Sequence, residues 1–591
     1  MIRVTRALVL ALLAVLLAAC TQVPLAQPPP PEPGPTAQPE PTELVVAVED
    51  LGAGYNPHLL AHSSPLTTAV AALVLPSVFR PGADGTPQLD RTIATSAEVV
   101  STEPFTVSYE LNLEASWSTN TPIAAEDFVY LWEQMRADAG AVDAAGYRMI
   151  TDVRSRAGGK AVDVVFADPY PAWRSLFSDL LPAHLLKDAP GSWTGATTGG
   201  LPASGGPFRI ATVDPGRGEV VLARNDTYWD TPAVLDTLVL RRLDDAAMAT
   251  GLAAGDVDVA LAEADPAVRT ALGGLAPVPR TQLAPLPTVT QLGLRADDGP
   301  LADARARRGV AALLDREAIR TAVAPESLPA DAFGPAPSEP GYAPTAPAGA
   351  PARPDPIAAE QLLGAAGWTR DPGGGWRADG RPVSLVVGWA AERAEDGRVA
   401  RLVAAQLAAA GIDATAVESP AADLLVRGTV PADEVPSTPA TAPTATATPS
   451  PTGATGAPAT SAPQPAGAVA ADVVVGPRTV GGDPGTELAS DYGCALPTDV
   501  VPEPPATPTG FCFPALQLLL ESLAAGSGAD DPARFAAAES VLWTQLPALP
   551  LFQPVSLVVS SAAADAATGI APGPLTEGPL AGAAQWREPG R

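Results

Sequence analysis

Side chains able to do chemistry are few in this chain of 591 residues, starting with only three histidines, His58, His62 and His184. His58 and His62 stand four apart, the spacing that would let two imidazoles share a helix face and hold zinc. Pro57 and the Ser63-Ser64-Pro65 run break such a helix, and no glutamate follows the first histidine as a metalloprotease base would require. Ordinary hydrogen-bonded or surface histidines are the reading. No Gly-x-Ser-x-Gly elbow offers a serine nucleophile, and no loop ending in Gly-Lys-Ser/Thr offers a phosphate cradle. Carboxylates are abundant, yet nothing in their spacing singles out a glycosidase pair. Neither an enzyme nor a resident metal or cofactor is expected. The 10 tryptophans and 8 tyrosines suit a ligand cleft better, being apolar faces with a polar edge. Some of these are core residues: Trp132 falls on a helical apolar stripe and Trp229 in a packed turn.

Composition narrows the class. With 46% hydrophobic and 17% charged residues, wholesale disorder is excluded. The net charge of −29, from 65 acidic against 36 basic residues, argues against nucleic acid or polybasic lipid attachment. Arg3 and Arg6 precede an apolar stretch, 7–18, too short to span a bilayer, and Leu17-Ala18-Ala19-Cys20 follows. That tetrapeptide resembles the bacterial lipobox, which implies cleavage of 1–19 and lipidation of Cys20 on the outer face of the cell membrane. Residues 20–42 then read as a proline-rich stalk, semi-rigid at about 3.1 Å per residue. In an oxidising exterior the remaining Cys494 and Cys512 pair by default as a disulfide. A thiol nucleophile or metal pair has no nearby histidine to support it.

Period then locates the elements. Residues 105–113 alternate strictly, with Phe105, Val107, Tyr109, Leu111 and Leu113 on one face, and read as a strand buried on one side. Residues 125–136 switch to helical spacing, with Phe128, Leu131, Trp132 and Met135 on one face and Glu126 and Asp127 in the first turn. Strands are expected at 44–48, 162–166, 219–223, 237–240, 412–417 and 471–475. Helices are expected at 307–322, at 357–366 and 399–410 with Gly367 and Gly411 past their ends, and after Asp531-Pro532. Residues 431–470, almost wholly Pro, Thr, Ala, Ser and Gly, read as a disordered insertion within a domain.

Taken in order, the 105–113 strand, Ala115-Ser116-Trp117-Ser118, the helix ending in Trp132, Ser204-Gly205-Gly206-Pro207-Phe208, the segment Ala223 to Trp229, Gly255-Asp256-Val257-Asp258-Val259 and Leu314-Asp315-Arg316 form a series. The series resembles the family 5 extracytoplasmic solute-binding proteins, receptors of oligopeptide, dipeptide and nickel ABC importers, over about 43–555. Tyr55-Asn56-Pro57-His58, Pro169-Tyr170-Pro171-Ala172-Trp173-Arg174, Leu181-Pro182-Ala183-His184 and the two late cysteines are similar to the LpqW-type branch of actinobacterial lipoproteins.

The resemblance implies an α/β, bilobed periplasmic-binding-protein-like fold with the three-part topology. Lobe I would comprise 43–75, 176–265 and 546–591, with an α/β subdomain at 76–175. Lobe II would be 266–545, carrying the 431–470 insertion. It implies a monomeric, lipid-anchored extracytoplasmic receptor that binds a peptide or similar small solute between the lobes for an ABC permease. For the LpqW-type branch it implies instead an envelope regulator or scaffold acting on phosphatidylinositol mannoside and lipoarabinomannan synthesis. Tyr55, Asn56, Ser204, Trp389, Arg478 and Asp483 become candidate ligand contacts. Peptide receptors commonly carry Trp-x-x-Asp, whose carboxylate pairs with the ligand's amino terminus; here the region is Gly476-Pro-Arg-Thr-Val-Gly-Gly-Asp483. Asp483 would fill that role. The tryptophan is missing and Arg478 adds a positive charge, which admits a ligand with an anionic group.

Overall fold

The computed structural model describes residues 41–82, 85–347, 350, 352–435, 467–494, 507–526 and 532–589. The leader, Cys20, most of the stalk, residues 436–466 of the insertion, the prolines of 495–506 and Asp531 lie outside the described residues.

The apolar run of Glu43–Val48 is buried from Leu44 onward and pairs in parallel with Thr237–Arg242 on one side and Val259–Glu263 on the other. A strand in that central position is covered on both faces, which explains the near-continuous run. Its side chains alternate between two cores: Leu44, Val46 and Val48 join the larger one, while Val45 and Ala47 meet Met248 and Leu252. Around it a seven-stranded sheet forms, running Arg280–Pro285, Val555–Ser560, Val259–Glu263, Glu43–Val48, Thr237–Arg242, Glu219–Arg224 and Phe208–Asp214. This sheet is the frame of the first lobe.

A six-stranded sheet frames the second, in the order Leu328–Pro329, Ala548–Gln553, Thr288–Leu294, Val473–Thr479, Ser384–Ala390 and Asp413–Ser419. Ser384–Ala390 and Asp413–Ser419 are parallel, so a crossover is needed, and the helix Ala394–Ala409 supplies it. Gly411 follows that helix at φ +89°, a left-handed conformation that a residue with a Cβ adopts only at a cost. The chain passes between the lobes twice, after Pro285 and after Gln553, so Arg280–Pro285 belongs to the first sheet and Ala548–Gln553 to the second.

The subdomain carries a four-stranded antiparallel sheet, Ala94–Thr102, Phe105–Leu111, Ala161–Phe166 and Ile150–Arg156, under the helix Ala125–Ala137. Asp127 ties this unit together: its carboxylate accepts from the Trp117 indole at 3.2 Å, the Ala124 amide at 3.0 Å and the Ala183 amide at 3.0 Å. Tyr109, Phe128, Tyr147 and Phe177 fill the core beneath.

Most elements fall where periodicity places them. One differs: the expected helix over 307–322 is two, Ala304–Ala311 and Arg316–Val323. Asp315 has extended ψ and its carboxylate accepts from the Ala318 amide at 2.8 Å, so a new cap interrupts the apolar period. Within the expected insertion, Thr429–Pro431 and Ala468–Ala470 pair as an antiparallel ribbon, so the segment leaves and re-enters the lobe at one point. Cys494 and Cys512 form the disulfide.

Candidate ligand-binding site

The two lobes touch through polar contacts between residues far apart in sequence. The Tyr170 hydroxyl lies 3.0 Å from that of Thr486, the Ser490 hydroxyl accepts from the Ala145 amide at 3.0 Å, and Arg393 donates to the Ser63 carbonyl at 3.1 Å. Arg398 pairs with Glu263 across the same interface. Leu60 and Ala61 complete the contact by packing on the cluster around Leu424 and Val474.

Between the lobes lies a partly open cavity of about 150 Å³. Leu60, 139–142 and Arg148 line it from the first lobe and its subdomain; Gln291, 476–479, 490–493 and 507–509 line it from the second. Close approach is made possible by small residues. A Cβ on Gly140 would lie 2.8 Å from a Val426 methyl, and one on Gly428 would lie 2.1 Å from the Pro508 carbonyl oxygen. The disulfide leads directly into the Thr507 to Thr509 wall, where the Thr509 carbonyl accepts from the Ala296 amide at 2.7 Å.

Arg478 is the charged centre. It stands near the end of Val473–Thr479, is 3% exposed, and donates from Nη2 to the Gly334 carbonyl at 2.6 Å. Its Nη1 lies 3.5 Å from Glu487 Oε2 and 3.7 Å from Asp491 Oδ2, both on the helix Pro484–Tyr492. Asp143 faces the same guanidinium from the first lobe, on a backbone at φ +52°. Three carboxyl groups therefore meet one cation out of water. Burial raises Asp491 to about 7 and Asp143 to about 6, Arg478 opposing in each case. Glu487 is held well above the usual range by burial and then by the Asp143 charge. Asp143 Oδ1, Arg478 Nη1, Glu487 Oε2 and Asp491 Oδ2 are buried and have no hydrogen-bond partner among the described residues. Such atoms cost about 1–3 kcal/mol each unless something fills their valences, more when charged.

Of the six residues expected to touch ligand, only Arg478 lines this cavity. Asn56 is wholly buried in the first lobe, its amide donating to the Trp193 carbonyl at 3.2 Å and accepting from the His58 amide at 3.1 Å. Tyr55 precedes it, buried, its amide bonded to the Thr197 carbonyl at 3.1 Å. The Ser204 hydroxyl donates to the Val74 carbonyl at 2.9 Å and accepts from the Gly206 amide at 3.0 Å. Trp389 covers Gly397, with the Arg401 guanidinium 5.3 Å from its ring centre. Asp483 caps its helix, accepting from the amide and the hydroxyl of Thr486, each at 2.9 Å. His58 Nε2 meets the Asp179 carbonyl at 2.9 Å, the ordinary role expected of it. Among the described residues no group of three or more His, Cys, Asp or Glu is placed to hold a metal ion. Asp143, Arg148, Glu487 and Asp491 were missed by sequence reasoning. For Asp143 the signal was a single charge among the small residues of 139–146; nothing in the local sequence marked Arg148, Glu487 or Asp491.

Two mixed sheets joined by two crossings, an inserted antiparallel subdomain and a cavity between the lobes make a bilobed fold of the periplasmic-binding-protein type. The oligopeptide-binding protein AppA from Bacillus subtilis, solved with a nonapeptide, shares this fold with a TM-score of 0.70 at 14% identity, over 93% of this chain and 99% of that one. Residues 89–435 match the family described as bacterial extracellular solute-binding proteins, family 5, middle. The chain belongs to that family. It is 39% identical over 431 residues to the "probable monoacyl phosphatidylinositol tetramannoside-binding protein LpqW" of Mycobacterium tuberculosis, across 67% of this chain and 66% of that relative's length. The oligopeptide-binding protein OppA of the same organism is 30% identical over 227 residues, 36% of this chain and 37% of OppA.

Proposed function

We propose that this protein is a lipid-anchored extracytoplasmic receptor that encloses a small polar solute between its lobes at the Arg478 cavity and presents it to an ABC permease. One observation carries the reading: polar and charged residues of both lobes, Arg148 from one and Gln291, Arg478 and Asp491 from the other, line one space between the lobes in a solute-binding fold. The lobes would close by hinge motion at the two crossings, and a solute stabilises closure by its differential affinity for the closed form. Cys20 would carry the anchor, with the stalk holding the lobes off the membrane. A free peptide amino terminus is a poor match, because Asp483 is already engaged as a helix cap. Native mass spectrometry of the full-length protein from its own host tests the reading. A solute released only on unfolding is expected, and a cavity empty in both the isolated protein and broad solute panels would refute it.

A second reading is favoured by the 39% identity to LpqW over 67% of the chain. On it, the cavity takes the polar head of an envelope mannolipid and the protein regulates phosphatidylinositol mannoside and lipoarabinomannan synthesis without transport. Deleting the gene separates the two. Loss of uptake of the enclosed solute marks a transporter subunit, whereas altered mannolipids with normal uptake mark the regulator.

A further inference from the structure

Arg148 ends the short helix Ala145–Arg148 and its side chain lines the inter-lobe cavity. Among the described residues its guanidinium makes no ion pair and no hydrogen bond. That sets it apart from other arginines drawn out of water in this protein. Arg307 donates to the carbonyls of Leu301, Ala302, Gln545 and Leu546. Arg80 meets Asp90 at 3.1 Å, Glu577 at 3.0 Å and the Leu75 carbonyl at 3.0 Å. Arg148 is half-buried, and burial alone depresses its proton affinity, with no carboxylate opposing. The carboxyl groups of the cavity do not serve it, for Asp143 and Asp491 both face Arg478. A guanidinium has five donors in a fixed fork that matches an oxyanion, and at Arg148 that fork borders the cavity with none of its donors used among the described residues.

We propose that Arg148 is the anion-recognition residue of this cavity, and that the solute carries a carboxylate or phosphate group seated on it. The inference rests on the receptor reading above and adds the chemical class of the ligand. Arg148 takes the oxyanion, and the Gln291 carboxamide, which lines the same space from the second lobe, can meet a polar group elsewhere on the same molecule. At about 150 Å³ the space holds a group about the size of benzene, so it seats the polar end of a ligand and not a whole nonapeptide.

The test uses full-length protein and two series of probes at matched ionic strength, with chloride as the reference. Inorganic phosphate and inositol 1-phosphate represent a phosphate source; acetate and dialanine represent a carboxylate source. Binding is followed by calorimetry and by hydrogen exchange across 288–294 and 473–479. At least one series should bind more tightly than chloride and slow exchange in those strands. Arg148→Gln should weaken it at least tenfold, and Arg148→Lys by less. Arg148→Met serves as a second neutral variant, and with no protein partner to lose, both should keep the unfolding midpoint of the parent. Phosphate-only binding assigns a phosphorylated head group, and carboxylate-only binding a peptide-like or organic acid. The proposal is overturned if no oxyanion outcompetes chloride, or if the neutral variants bind as the parent does. If a host-derived solute remains enclosed and Arg148→Gln retains it equally, the anion assignment alone fails. If no solute is enclosed and no probe alters exchange, the receptor reading fails with it.

Discussion

Arg478 Nη1 and Glu487 Oε2 lie 3.5 Å apart with 1% and 2% of their side chains exposed, yet neither atom completes a hydrogen bond among the described residues. A buried pair of this kind contributes little net stability, but removing one member leaves the other uncompensated. Arg478→Met should therefore destabilise the protein by about 3–5 kcal/mol at pH 8, where Asp491 and Asp143 are ionised. At pH 5 Asp491 and Asp143, raised to about 7 and about 6, hold their protons, so the cost shrinks. Urea unfolding at the two pH values checks this, and equal costs would contradict it.

The elevation of Asp491 fixes a sign of its own. Its folded form binds a proton more tightly than the unfolded chain, where an aspartate titrates near 3.9. The stabilisation is present below that value and is lost as pH rises toward about 7. Asp491→Asn should thus flatten the decline of stability between about pH 4 and 7, by about 3 kcal/mol across the range. Unfolding free energies measured along that range give the slope, and parallel curves for parent and variant would rule it out.

Gly140 brings the subdomain loop against Val426 of the second lobe, with room for no side chain. Gly140→Val should hold the lobes apart, increase the radius of gyration in solution scattering and release an enclosed solute at least tenfold more readily. Overpacking costs about 1–3 kcal/mol, which opening relieves, so the unfolding midpoint should barely move. A closed variant of normal affinity would show that the contact does not govern closure.

The disulfide joins residues 18 apart and anchors the Thr507 to Thr509 wall of the cavity. Replacing Cys494 and Cys512 together by serine should lower stability by about 2–4 kcal/mol, chiefly by freeing the unfolded chain. Hydrogen exchange should rise at Ala296, whose amide is held by the Thr509 carbonyl. Unchanged exchange there would mean that the wall holds its place without the bond.

Much was legible along the chain because the signals are local. A period of two in 105–111 and a helical period in 125–137 depend on neighbours a few residues away, and so do the glycines that end helices. The split at Asp315 was hidden because the apolar spacing continues across it, while a single side chain reaching the Ala318 amide decides the break.

By itself the sequence determined the elements, the family, the disulfide partners and the absence of a familiar catalytic motif, each written in residues close together or in a recognisable order. It did not determine which charges share a cavity. Ala145 and Ser490 meet across 345 positions, and Arg148 reaches the Arg478 cavity by the same closure of one lobe on the other. Periodicity assigns a residue to a face of its own element and carries no information about what that face meets. Only tertiary packing, by taking Arg478 and its carboxyl neighbours out of water and leaving Arg148 without a counter-ion, turned scattered surface-type residues into a site.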